Sequence, residues 1–150
     1  MIKYQNTQQF CECQLVSIWN ACRFWGSDWF VWGVDEQEIP RQFTKKYYAA
    51  CDDANAVHGG VIGIDKQIKK YGIKAVRGKF TLKWFKSHLP IEVSVFCHRG
   101  YHSVLAVRVD HGDVILANYA FGRLHRMKWK RLLKIANKEC APCQYVMRKR

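Results

Sequence analysis

A thiol becomes a nucleophile when its surroundings favour the thiolate, and Cys11 stands where a chain can arrange that. It opens a run whose apolar positions 11, 15, 18, 19, 22 and 25 fall on one helical face. At a helix start the unpaired N–H groups and the helix dipole stabilise negative charge. A nucleophilic thiol also needs a base. His102 opens a predicted strand after Arg99-Gly100-Tyr101, which sets its ring at a sheet edge. An imidazole in turn needs an acceptor to fix its tautomer. Asn118 ends the following strand, and a turn at 110–113 brings residues 102 and 118 roughly opposite each other. Gln5 precedes Cys11 by six residues, so its amide can join the Cys11 N–H in holding an oxyanion. These four residues predict acyl transfer through a Cys-His-Asn triad. The Cys11 sulfur is expected within about 4–5 Å of a His102 ring nitrogen. The Asn118 amide oxygen is expected to accept the other ring N–H.

Other residues compete for the same roles. Cys13 is the rival nucleophile, but it lies about 200° round the helix from Cys11 and has no Gln six residues before it. Cys140-x2-Cys143 has metal-ligand spacing, and Cys11-x-Cys13 would complete four thiolates. The Cys-x-Cys spacing is poor for a zinc site, so two reduced cysteines in a turn are the plainer reading, and no metal is expected. No His-Glu-x2-His pattern, phosphate loop or dinucleotide fingerprint occurs, so no cofactor is expected either. His98 reads as a surface residue. Gly59-Gly60 reads as ordinary loop chemistry.

The elements that must position these residues follow from periodicity. A helix is predicted over 11–25, stopped by Gly26. A second begins at Pro40 and runs to about 50, and a third spans 61–71 and ends at Gly72. A short strand at 73–77 precedes a helix over 81–88, capped by Thr81. Strands follow at 91–97, 102–109 and 113–118, with His111-Gly112-Asp113 as the tight turn of a hairpin. A basic helix over 127–137 and a strand at 144–148 complete the chain. Helices first and an antiparallel sheet second is an α+β order, and residues 1–150 are expected to form one domain.

Charge narrows the partners. Lys and Arg total 25 against 12 Asp and Glu, a net charge of +13. Residues 66–88 carry Lys and Arg with no acid, and 123–150 carry them against Glu139 alone. If both runs face one way, Lys69, Lys70, Lys83, Lys128, Lys130 and Arg131 form a patch for an anionic polymer such as nucleic acid. Apolar residues make up 49%, a globular composition, yet no run is long enough to span a membrane. Seven cysteines, an odd number, and no export signal point to free thiols in a reducing cytoplasm, which for a viral protein means the host cytoplasm or the virion.

The order Gln5, Cys11, His102, Asn118 resembles the papain-like cysteine peptidases, and in particular their small bacteriocin-processing, double-glycine branch. Four places carry the likeness: Gln-x5-Cys at a helix start, Gly72-Ile73 leading into a strand, Leu89-Pro90-Ile91 leading into another, and Gly100-Tyr101-His102 followed by an apolar strand ending at Asn118. The resemblance implies a papain-like fold with the nucleophile helix packed on the sheet. It implies Cys11 as nucleophile, His102 as general base and acid, Asn118 as orienter and Gln5 as oxyanion donor. The substrate would be a peptide or another acyl donor. Two positions depart from that branch: Glu12 stands where Gly usually follows the nucleophile, and Asn118 where Asp is usual. The competing expectation is a non-catalytic basic protein on the same scaffold, a virion or phage component or a nucleic-acid-associated factor.

Overall fold

The computed structural model describes residues 2–4, 6–7, 13–26, 69, 72–97, 100–120 and 123–147. The expected helix at 40–50, that at 61–71 apart from Lys69, the Gly59-Gly60 pair, Gln5, Cys11, Lys70 and His98 lie outside the described residues. In chain order the described elements are helix α1 (Cys13–Trp25), strand β1 (Lys74–Arg77), helix α2 (Leu82–Ser87), strands β2 (Ile91–Cys97), β3 (Gly100–Asp110), β4 (Asp113–Ala120) and β5 (Arg123–Lys128), helix α3 (Trp129–Ile135) and strand β6 (Cys143–Val146). The six strands form one sheet in the order β1-β6-β2-β3-β4-β5. Every neighbouring pair is antiparallel.

Side chains alternate across a strand, so the apolar runs of β3 and β4 feed two cores at once. Leu105, Val107, Ile115 and Ala117 meet Leu15, Ile18, Trp19 and Cys22 of α1 on one face. Val104, Ala106, Val114 and Leu116 meet Phe85 of α2 and Leu132 of α3 on the other. Two polar contacts tie α1 to the sheet within the first core. Ser17 meets Ser103 of β3, Oγ to Oγ, at 2.8 Å. At the far end the Trp25 indole N–H donates to the Tyr145 carbonyl of β6 at 2.6 Å. Gly26 follows α1 at φ +61°, and its N–H donates to the Arg23 carbonyl at 3.2 Å, which closes the helix as expected.

The β3–β4 hairpin turns on two residues, His111 at φ 49° and Gly112 at φ 82°. Two positive φ angles make the twist of the turn match that of its strands. Arg126 of β5 closes over this turn, bonding Asp110 at 2.6 Å and Asp113 at 3.0 Å. Strand β5 departs from the expectation, and its last two residues, Met127 and Lys128, lie in the stretch expected as the start of the basic helix. Only Met127 of β5 is buried, since β5 is an edge strand, and its apolar alternation is correspondingly weak. The basic helix is therefore shorter than expected, running from Trp129 to Ile135. Among the described residues no helix is long and apolar enough to cross a membrane.

Candidate active site

The site is built where β3 begins, β4 ends and α1 starts. Pairing of β3 with β4 runs from Asp110↔Asp113 to Leu105↔Ala117, with a shift in register between Ala106 and Arg108. Immediately beyond Ala117, Asn118 turns into the left-handed region at φ 68°. Asparagine tolerates that region better than most residues. The turn swings the Asn118 carbonyl onto His102, whose Nε2 lies 2.6 Å from it. A carbonyl only accepts, so Nε2 carries the proton of this bond. In the neutral ring the lone pair is then on Nδ1, the nitrogen available to take a proton from a thiol.

His102 and Asn118 therefore do meet, but not as expected. The Asn118 side chain is buried and turned away from the imidazole. Its Oδ1 accepts from the Thr7 N–H at 2.6 Å. Its Nδ2 donates to Thr7 Oγ1 at 2.7 Å and to the Ser103 carbonyl at 3.1 Å. Residue 118 departs from regular strand geometry at φ 68°, so side-chain and carbonyl directions read from an ideal hairpin do not hold there. The main-chain carbonyl is thus the group that meets the imidazole, while the side-chain amide holds Thr7. Asp110 and Asp113 do not compete for this place, because both are engaged with Arg126.

The helix start is described from Cys13 onward. Cys13 is half-buried. Burial pushes its thiol up from the ordinary value; a main-chain hydrogen bond with Ser103 opposes this, and the Glu92 carboxylate adds to it. The distance expected between Cys11 and His102 falls outside the described residues, as does the oxyanion role of Gln5. Beside Cys13 runs a buried polar chain that sequence reasoning missed. Ser103 Oγ is 2.8 Å from Glu92 Oε2 of β2 and 2.8 Å from Ser17 Oγ, which lies one turn beyond Cys13 on α1. Its sequence signal was a glutamate in the mostly apolar stretch 91–97.

Among the described residues no group of three or more His, Cys, Asp and Glu is placed to hold a metal ion. Cys143 is fully buried in the α1 core and Cys140 is only partly buried. Burial pushes the Cys140 thiol up, with Arg77 opposing. Of the expected anion-binding residues, Lys83, Lys128, Lys130 and Arg131 are exposed, as is Lys69. Helices α2 and α3 lie on the same face of the sheet and touch through Phe85 and Trp129, whose rings are 4.9 Å apart. This contact places α2 and α3 side by side and does not place their cations on one surface.

No family model matches the chain, and no curated protein matches it. Solved structures do. The peptidase domain of Streptococcus ComA, a bi-functional ABC transporter involved in a quorum-sensing pathway, is similar at a TM-score of 0.66 and 12% identity, over 99% of this chain and 100% of that one. A double-glycine-motif protease from an AMS/PCAT transporter, solved in complex with the leader peptide, is similar at 0.64 and 12% identity, over 99% and 93%. The chain shares the α+β fold of these peptidase domains, with an N-terminal helix packed on an antiparallel sheet, as its sequence led us to expect.

Proposed function

We propose that this protein is a cysteine peptidase, or a related thiol hydrolase or acyltransferase, acting on a peptide through a thiol at the start of α1 and His102. One observation carries the reading: the 2.6 Å bond from His102 Nε2 to the Asn118 carbonyl, which leaves Nδ1 as the base on a fold shared with thiol peptidase domains. His102 takes the thiol proton, and the sulfur attacks the acyl carbon. The imidazolium then gives its proton to the leaving amine, and an acyl-enzyme remains. Water, activated by the same ring, or an amine acceptor releases the acyl group. Cys11 is the nucleophile that the spacing from Gln5 favours, with the Gln5 amide and the Cys11 N–H holding the oxyanion. Asn118 supplies the orienting acceptor. Cys13 is the rival thiol, but burial raises it, which disfavours the thiolate there.

Incubation with a peptide pool that includes double-glycine sequences, followed by mass-spectrometric mapping of new termini, tests the reading. Cleavage or acyl transfer by the wild type, lost in His102→Ala and in one of Cys11→Ser or Cys13→Ser, is the expected result. Turnover that survives His102→Ala would overturn it. A second reading, a basic binding protein on the same scaffold, is favoured by the exposure of Lys83, Lys128, Lys130 and Arg131.

A further inference from the structure

The chain Glu92–Ser103–Ser17 crosses three elements, and none of its members is used by the mechanism above. With the carboxylate as acceptor, the single Ser103 hydroxyl proton goes to Glu92 Oε2, and the Ser17 hydroxyl donates to Ser103 Oγ. Ser17 is fully buried, and Glu92 and Ser103 are each 8% exposed. A carboxylate this far from water is costly unless its hydrogen bonds are made, so the chain is held rather than incidental. Ser103 is engaged at another point too. Its carbonyl accepts from Asn118 Nδ2 at 3.1 Å. It is the residue next to His102. Sliding α1 along β3 by the rise of one residue, about 1.5 Å, would take the Ser17 bond out of hydrogen-bond range.

We propose that Ser103, fixed by the buried Glu92, is a positioning residue: through Ser17 it sets the register of α1 on β3, and with it the separation between the thiol at the start of α1 and the His102 ring. The inference rests on the thiol–imidazole reading above. Its consequence is a separation of roles. Ser103 and Ser17 touch neither substrate nor ring, yet thiol activation depends on them. Glu92 acts as an acceptor, so an amide oxygen can replace it.

The test is the rate of alkylation by iodoacetamide at pH 6, where an isolated thiol is almost wholly protonated. The reacting cysteine is located by peptide mapping, and thermal melts are recorded alongside. Ser103→Ala and Ser17→Ala are expected to slow alkylation at the start of α1 by about tenfold or more, as a misplaced reacting pair does. Glu92→Gln is expected to stay within about threefold of wild type, because the amide oxygen still accepts the Ser103 hydroxyl. Ser17→Ala leaves the Ser103–Glu92 bond intact, so it reports even if Ser103→Ala does not fold. Unchanged alkylation in Ser17→Ala, or a loss in folded Glu92→Gln as large as that in Ser17→Ala, would overturn the proposal. A wild type with no cysteine reacting faster than in the urea-unfolded chain would overturn the peptidase reading instead.

Discussion

Asn118 offers the sharpest separation between side chain and main chain, because its two halves do different things. Asn118→Ala deletes the bonds to the Thr7 N–H, Thr7 Oγ1 and the Ser103 carbonyl, at 2.6, 2.7 and 3.1 Å. The residue is 5% exposed, so water does not readily replace them. With about 1 kcal/mol net for each bond, and more where a buried partner is left unsatisfied, the loss is about 2–4 kcal/mol. Alanine must also hold φ near the observed 68°, which costs about another 1 kcal/mol. Asn118→Gly loses the same three bonds but takes the left-handed backbone freely. After its larger unfolded-state entropy is charged against it, it should be more stable than the alanine variant by about 0.5–1 kcal/mol. Both variants keep the carbonyl that meets His102. Urea unfolding of the three proteins at pH 7 measures the differences. An alanine variant as stable as the glycine variant, or a loss below about 1 kcal/mol in both, would refute the reasoning.

Further outcomes follow from other contacts. A Cβ added at Gly78 would collide with the indole of Trp84, which is already stacked on His88 at 4.4 Å. Gly78→Ala should therefore destabilise by about 1–3 kcal/mol in denaturant melts, and a neutral result would mean the ring moves freely. The Asp110 carboxyl is held below its ordinary value of 3.8, chiefly by its hydrogen bond from Arg126. Its stabilising contribution is thus present above that value and lost as pH falls through the lower folded one. The melting difference between wild type and Arg126→Ala should be constant from pH 7 to 5 and shrink below 3.8; a difference that grows on acidification would reverse the sign. If α2 and α3 present one cationic surface, retention on heparin should fall steeply with salt, and Lys130→Glu with Arg131→Glu should weaken it further. Retention insensitive to salt would reject that surface.

Much of the fold was legible because the physics was local. The α1 stripe, the Thr81 cap, whose hydroxyl accepts from the Trp84 N–H at 3.1 Å, and the span of β2 each followed from spacing or residue type. Strand β5 was not legible, since Arg123-Leu124-His125-Arg126 faces solvent and its pattern comes from pairing with β4 rather than from burial. The proximity of His102 to Asn118 could be read from the hairpin. Which half of Asn118 would face the ring could not, because that depends on the left-handed turn after Ala117. The Glu92–Ser103–Ser17 chain was hidden for a related reason. It joins residues from three elements, and only the assembled α1–sheet interface shows that a glutamate in an apolar strand has a partner.

The most direct test of the account is the pH dependence of thiol alkylation in the wild type and in His102→Ala. A thiol paired with an imidazole ionises well below the ordinary range, and its reactivity levels off on the acid side. The account predicts such a plateau below pH 7 for a single cysteine, Cys11 or Cys13, and its disappearance in His102→Ala. A wild-type profile that rises with one ionisation near pH 8.5, and is unchanged in His102→Ala, would contradict it.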